Sequence, residues 1–149
     1  MKSYKLKNFI IQEFVDPSTY KKFGGVSILC IDVRLMKLMD TLRELFGVPI
    51  TINNWKWGGD RQWSGIRTPD SPYYSWYSQH SYGRACDFLV RGLSGAEARF
   101  IIEKWYEEGL LGDDIHITME YGDKVTWVHI DIRETTNWVK GIVNKFYIW

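Results

Sequence analysis

The chain has 149 residues, a length typical of one domain that buries its own core. With 45% hydrophobic and 25% charged residues, it has the composition of an ordinary globular protein. A formal charge of +1 excludes the strongly basic character of many nucleic-acid-binding proteins. The first 25 residues carry Lys and Glu throughout, so neither a signal peptide nor a membrane span is predicted there.

The first half of the chain predicts two helical segments and a short strand. Residues 8–15 have helical character, and we expect this segment to stop before Pro17. Apolar side chains recur at helical spacing over residues 28–46, and Gly47 is a natural end for that helix. Residues 49–53 contain β-branched side chains and predict a strand.

A long irregular segment follows at residues 54–79. It combines Gly and Pro with many of the chain's 8 Trp and 9 Tyr residues. Loops of this length inside a domain are usually functional. The rings either complete a core or line a groove that stacks on sugar or peptide. The rings in question are Trp55, Trp57, Trp63, Tyr73, Tyr74, Trp76 and Tyr77.

The second half begins with a strand and a helix. Residues 85–90 are mostly apolar and predict a buried strand. Ser94 and Glu97 have the spacing of a capping box, so a helix is expected to begin there. We expect this helix to continue through about Glu108 and to end at Gly109.

The C-terminal part predicts a β-hairpin and a last helix. Residues 115–121 and 125–132 alternate between apolar and polar side chains, with a turn at Gly122. Residues 136–146 are amphipathic and predict a helix. The order of elements favours an α+β fold, with helices packed on a small antiparallel sheet, in one domain over residues 1–149.

His80 and His129 each lie in a segment that also carries a carboxylate on the strand side. His80 precedes Asp87, and Gly83 between them permits a tight reversal of the chain. His129 lies in an alternating strand, with Asp131 on the same face. A catalytic zinc ion needs about three such ligands plus an open position. From these residues alone the interpretation stays open.

The motifs around these residues resemble those of the M15 family of zinc peptidases. Residues 78–87 read SQHSYGRACD, which resembles the family signature S-x-H-x-x-G-x-A-x-D. Residues 127–133 resemble the second half of the signature, in which an apolar strand carries the last ligand. Residues 49–53 resemble the strand before the family's substrate loop. The family includes zinc D-alanyl-D-alanine carboxypeptidases and phage endolysin peptidases, and it shares its fold with the hedgehog signalling domain.

The resemblance implies a Zn²⁺ ion bound by His80, Asp87 and His129. It also implies hydrolysis of an amide bond in the peptidoglycan stem peptide, by a protein of phage or prophage origin. Such a protein is made in the cytoplasm and acts on the cell wall after release or as part of a virion. We expect no nucleic-acid partner and no membrane insertion.

The general base is left open between two carboxylates. Zinc peptidases need a group that takes a proton from water and returns it to the leaving amine. Some family members place a Glu three residues before the last His, where this chain has Thr126. Others place an acidic residue at the end of the preceding strand, which corresponds to Glu120. Asp123, in the turn, is the second candidate.

The position of two candidate catalytic residues depends on the hairpin register. A turn closed tightly at residues 121–124 pairs Glu120 with Val125. The Glu120 carboxylate would then lie four residues, or ~13 Å, from His129 along the strand. The same register places His116 opposite His129. There it would act as a proton donor or oxyanion stabiliser, or else as a structural histidine.

Substrate binding is assigned to the irregular segment. The family's carboxypeptidases use an arginine upstream of the first motif, and a guanidinium suits a carboxylate or an oxyanion. Arg67 is the first choice here and Arg61 the second, with Trp57 and Trp63 lining the cleft. Residues 53–55 depart from the family's Ser-Gly-aromatic-Arg string. Carboxypeptidase and endopeptidase specificity therefore both remain open.

The role of Asp131 has two alternatives. It either accepts a hydrogen bond from a ligand histidine or forms a surface pair with Arg133 or Lys140.

The function class also has an alternative. A zinc-retaining binding protein or virion structural protein on the same fold is the rival to an enzyme. A serine hydrolase is disfavoured because Ser78 lies too close in sequence to His80 for a triad, and no nucleophile elbow is present.

Overall fold

A computed structural model describes residues 4–148. This part of the chain contains three α-helices and one five-stranded sheet, which confirms the predicted α+β class. The helices are α1 (Pro17–Phe23), α2 (Val33–Phe46) and α3 (Gly95–Glu107). The strands are β1 (Ile50–Thr51), β2 (Ala85–Val90), β3 (Thr118–Tyr121), β4 (Val128–Asp131) and β5 (Asn144–Tyr147).

Helix α1 begins where the sequence predicted a stop. The side chain of Asp16 accepts a hydrogen bond from the backbone N–H of Thr19, and Pro17 occupies the first turn. Proline is favoured there because the first N–H groups of a helix have no partner within the helix. The helical expectation for residues 8–15 is wrong except for one 3₁₀ turn at Ile11–Glu13.

The two longer helices largely follow their predicted boundaries. Helix α2 starts at Val33, later than predicted, because Asp32 caps its first turn and residues 24–30 form 3₁₀ turns instead. It ends at Gly47, whose φ of 65° lies in the left-handed region. The Ser94 capping box at the start of α3 is confirmed.

The sheet has the order β1-β2-β4-β3-β5 and is mixed rather than antiparallel. Strand β5 pairs with β3 in parallel, and the other three pairs are antiparallel. The predicted helix over residues 136–146 is therefore wrong. Gly141, with a φ of 75°, interrupts the segment, and its last residues join the sheet.

The register of β3 and β4 differs from the predicted hairpin. Thr118 pairs with Asp131 and Met119 with Ile130. Continued by one residue, this register brings Glu120 opposite His129 instead of Val125. The connection between the strands spans residues 122–127, so the tight turn expected at residues 121–124 is wrong.

The sheet separates an apolar face from a polar one. Cys86, Phe88 and Ile130 are fully buried in the core, and α3 packs against β2 and β4. Because successive strand residues point to opposite faces, Asp87 and His129 lie on the other side. Among residues 4–148, none of the helices combines the length and apolar character needed to span a bilayer.

Candidate metal centre

Three side chains converge on one point of the polar sheet face. Oδ1 of Asp87 lies 2.7 Å from Nδ1 of His129 and 3.3 Å from Nε2 of His80. The two histidine nitrogens are themselves 3.3 Å apart. The three residues predicted as ligands thus form a group that could hold a metal ion.

Strand pairing places two of the three side chains together. Asp87 on β2 and His129 on β4 are direct partners in the antiparallel ladder. Directly opposed residues of a ladder have neighbouring Cβ atoms, so the strand pairing alone brings their side chains into contact. This juxtaposition follows from the register of β2 and β4.

The third side chain, His80, comes from a 3₁₀ turn at Gln79–Tyr82 that leads into β2. Ser78 caps this turn by accepting a hydrogen bond from the N–H of His80. Gly83 ends it with a φ of 65°. A Cβ atom at Gly83 would lie 1.9 Å from the carbonyl oxygen of Cys30, so a side chain there is excluded by space as well as by backbone conformation.

Neighbouring groups fix which nitrogen of each imidazole is free. Nδ1 of His80 lies 2.7 Å from the carbonyl oxygen of Gly65, and Nε2 of His129 lies 3.1 Å from Oδ2 of Asp131. These oxygens accept hydrogen bonds, so each of these nitrogens carries a proton. The remaining nitrogens, Nε2 of His80 and Nδ1 of His129, face Asp87. They donate hydrogen bonds to its carboxylate when protonated, and they offer lone pairs to a metal ion when the rings are neutral.

Asp131 is completely buried and interacts with both His129 and Arg133, which the sequence analysis had treated as alternatives. It accepts the hydrogen bond from His129, and the guanidinium of Arg133 contacts both its oxygens at 2.8 and 2.5 Å. Lys140 pairs instead with Asp113 at 3.1 Å. Asp131 therefore orients a candidate ligand and has its own charge balanced by Arg133.

The electrostatics of the cluster favour a positive charge at its centre. Burial alone lowers the pKa of His129, but hydrogen bonds to Asp131 and Asp87 outweigh this effect and raise its pKa to about 9. Burial raises the pKa of Asp87, yet the hydrogen bonds from His129 and His80 hold it well below its usual range. The carboxylate thus stays ionised between the two imidazoles.

The donor set and its spacing fit a divalent cation. In tetrahedral zinc sites with bonds of about 2.1 Å, ligand atoms lie roughly 3.4 Å apart. Two of the three donor separations are 3.3 Å, and the third is 2.7 Å. Two imidazole nitrogens and one carboxylate oxygen are also a combination that zinc commonly accepts. The site is closed on the sheet side and open toward a cleft.

The two arginines predicted to bind substrate both reach Asp87. Nη2 of Arg67 lies 2.6 Å from Oδ2 of Asp87, and its Nε donates to the carbonyl of Trp63. Nη2 of Arg61 lies 3.3 Å from the backbone carbonyl oxygen of Asp87, and its Nε donates to Ile52. Both guanidinium groups support the ligand strand, and a contact with substrate remains a prediction.

The cluster opens into a cleft of about 900 Å³. Glu120 and Trp63 line this cleft together with all three candidate ligands, and so does Arg133. The Glu120 carboxylate accepts no hydrogen bond from any residue that the structure describes. Trp57 lies outside the cleft, against a separate groove beside Phe9, so its predicted place in the lining is wrong.

Two other predicted catalytic residues lie away from the cluster. His116 stacks on Trp138 with ring centroids 4.2 Å apart, and its Nδ1 accepts a hydrogen bond from the N–H of Thr135. Its predicted position opposite His129 is wrong because the register differs. Asp123 lies in the β3–β4 connection and lines a second, smaller pocket.

Two contributors to the site were not identified from the sequence. The Gly65 carbonyl carries no side-chain signal at all, and it comes close only because the irregular segment folds back over β2. Arg133 was considered only as a surface partner of Asp131. The available signal was its spacing from Asp131: residues i and i+2 of a strand share a face, so Arg133 was expected on the same face as Asp131 and His129.

Comparison with protein-family models, with curated proteins and with solved structures found no match for this chain.

Proposed function

We propose that the protein is a zinc-dependent hydrolase of amide bonds. The observation that carries the proposal is the convergence of His80, Asp87 and His129, with their donor atoms facing one another at the wall of an open cleft. Zinc is chosen over other divalent ions because two imidazoles and one carboxylate suit it, and because an open side leaves room for water and substrate.

A bound Zn²⁺ ion lowers the pKa of water and polarises an amide carbonyl. Glu120 is assigned as the general base because it lines the same cleft and lies opposite His129 in the β3–β4 register. Its carboxylate would take the proton from the attacking water and return it to the leaving amine. Asp131 is excluded from this role because it is fully buried, and its oxygens are held by His129 and Arg133.

The substrate class rests on the resemblance of residues 78–87 and 127–133 to the M15 zinc peptidases. On that basis we propose the peptidoglycan stem peptide as substrate and a fold related to the hedgehog and D-Ala-D-Ala-peptidase domains. A phage or prophage origin, with action at the cell wall, belongs to the same proposal. The cleft is compatible with this class because it has a volume of about 900 Å³ and is lined by both polar and aromatic groups.

The test measures bound zinc and hydrolysis together. Purified protein is analysed for metal by mass spectrometry and is assayed on cell-wall sacculi and on a peptide ending in D-Ala-D-Ala. We expect about one zinc per chain and hydrolysis that a chelator abolishes. His80→Ala should lose both, whereas His116→Ala, a matched change outside the cluster, should keep both.

Two results would contradict the proposal. Zinc at one per chain without cleavage of either substrate would leave a metal-binding domain with a recognition role. Absence of tightly bound metal under zinc-replete conditions would remove the basis for both functions.

A further inference from the structure

A group of large aromatic side chains is exposed beside the cleft. Trp76 is 61% exposed, Tyr77 73% and Tyr82 54%. The rings of Trp76 and Tyr77 are stacked, with centroids 3.8 Å apart and planes inclined by 30°. We call these three residues the aromatic platform. Contiguous exposed rings on a protein surface usually mark a binding site.

Hydrogen bonds within the loop hold the platform in its exposed position. The Tyr82 hydroxyl donates to the carbonyl of Trp76 at 2.7 Å. The Ser81 hydroxyl donates to the carbonyl of Ser75, also at 2.7 Å. The backbone N–H of Ser78 donates to the same Ser75 carbonyl. The loop is thus ordered before a ligand arrives, which lowers the entropic cost of binding.

The chemistry around the platform indicates an uncharged ligand. Residues 71–83 contain five Tyr and Trp side chains, four serines and no Asp, Glu, Lys or Arg. Binding of single-stranded nucleic acid combines aromatic stacking with basic side chains, and attraction to anionic membranes also needs Lys or Arg. Both ligand classes therefore lack a basic partner within residues 71–83, and the adjoining Arg67 and Arg84 already pair with Asp87 and Asp32.

A neutral polysaccharide matches what the segment does offer. The C–H faces of pyranose rings pack on indole and phenol rings, and sugar hydroxyls exchange hydrogen bonds with serine and tyrosine hydroxyls. The platform also adjoins the cleft, since Tyr73, Ser78 and Gln79 of the same loop line it. A strand lying on the platform would therefore pass the mouth of the candidate metal centre.

We propose that the aromatic platform binds a neutral polysaccharide of β-linked N-acetylhexosamine units and holds it beside the cleft. The placement of a scissile bond near the metal rests on the proposed function, whereas the binding itself needs neither metal nor hydrolysis. The shared chemistry fits chitin-type oligomers and also the glycan strands of peptidoglycan, whose lactyl carboxyl groups are uncharged while they are amide-linked to the stem peptide.

The test is a binding titration with two uncharged probes. They are chitohexaose, and peptidoglycan glycan strands whose stem peptides have been removed and whose exposed lactyl carboxyl groups have been converted to methylamides. We expect Trp76→Ala to weaken binding about tenfold or more, and Trp76→Phe to restore most of it because the stacking face is kept. Trp57→Ala is the matched control. Trp57 is also 62% exposed but lies on a different groove, so its loss should leave binding unchanged.

The titration is repeated with His80→Ala protein in the presence of a chelator. Binding that persists there, together with a zinc-loaded wild-type protein that hydrolyses no substrate, supports the platform and rejects the proposed function. Hydrolysis of a soluble stem peptide without binding of either probe rejects the platform alone. Equal losses for Trp76→Ala and Trp57→Ala, or Trp76-dependent binding only to phosphatidylcholine vesicles or to single-stranded DNA, would also overturn the assignment.

Discussion

Nε2 of His129 lies 3.1 Å from Oδ2 of Asp131, two residues further along the same strand. The carboxylate fixes the proton on Nε2 and leaves the Nδ1 lone pair, on the side that faces Asp87, available to bind a metal ion. Asp131 is itself fully buried and contacted by Arg133, so its orientation does not depend on solvent. The metal affinity of the site should therefore depend on a residue that does not touch the metal.

We expect Asp131→Asn to weaken zinc binding by about 10–100-fold, because the partner of a ligand histidine sets its tautomer and basicity. Competition with a chromophoric chelator measures the affinity. Asp113→Asn, which removes an exposed carboxylate paired with Lys140, is the control and should bind zinc like the wild type. An unchanged affinity in the Asp131 variant would contradict the assigned role.

Glu120→Gln separates metal binding from catalysis. The amide keeps the size of the side chain but cannot accept a proton from water at neutral pH. Zinc content should be unchanged, and kcat should fall about 10²–10⁴-fold. Asp123→Asn changes the competing candidate, which lies in a different pocket, and should leave kcat near the wild-type value. The reverse pattern in steady-state kinetics would reassign the base to Asp123.

Gly83 and Gly47 form a matched pair for testing the turn that carries His80. Both have a φ of 65°, so Ala costs about 1–2 kcal/mol at either position from backbone conformation. Only Gly83 also faces a close atom, the Cys30 carbonyl oxygen. We expect Gly83→Ala to lose at least about 2 kcal/mol more than Gly47→Ala in urea unfolding, because a packed backbone must move. Equal losses would show that the contact is relieved easily.

Arg99 on helix α3 is hydrogen-bonded to the backbone of the β3–β4 connection. It is 5% exposed and donates to the carbonyls of Val125 and Trp127, the latter at 2.6 Å. Arg99→Met leaves both acceptors without their donor, and we expect a loss of about 2–4 kcal/mol in the free energy of unfolding. Arg91→Met changes an exposed arginine and should cost little. A small effect at Arg99 would mean that water replaces the guanidinium.

Asp32 lies outside the candidate metal centre, and its carboxylate makes the stability of the protein depend on pH. Side-chain hydrogen bonds from Arg34 lower the pKa of Asp32, and the Arg84 charge adds to the effect. A carboxylate with a depressed folded-state pKa contributes stability above its unfolded value of about 3.9 and loses it as pH falls toward the folded-state value. Asp32→Asn keeps the helix cap but not the charge. Wild type should therefore be more stable at pH 6 than the variant.

The difference between the two proteins should shrink as the pH falls below about 4. Thermal unfolding followed across pH 2.5–7 measures it. Asp32→Ala serves as a second control, since it also removes the cap and should cost about 1 kcal/mol more than Asn at every pH. A difference between wild type and Asp32→Asn that stays constant down to pH 2.5 would contradict the charge contribution.

The sequence by itself determined the local parts of the site. The turn from Ser78 to Gly83, the strand that carries Asp87 and the capping box at Ser94 depend on residues a few positions apart. Hydrogen bonds and backbone preferences within such a span act before any tertiary contact forms. The three candidate ligands could be named because the short motifs that carry them resemble the M15 signature.

The tertiary structure alone decided how these parts meet. The β3–β4 register moves Glu120 next to His129 and takes His116 out of the site, and it depends on the long connection that Arg99 holds. Strand β5 pairs with the edge of β3, although the amphipathic pattern of residues 136–146 predicted a helix. Strand register depends on contacts between residues far apart in sequence, so the alternation within a strand fixes the face but not the partner.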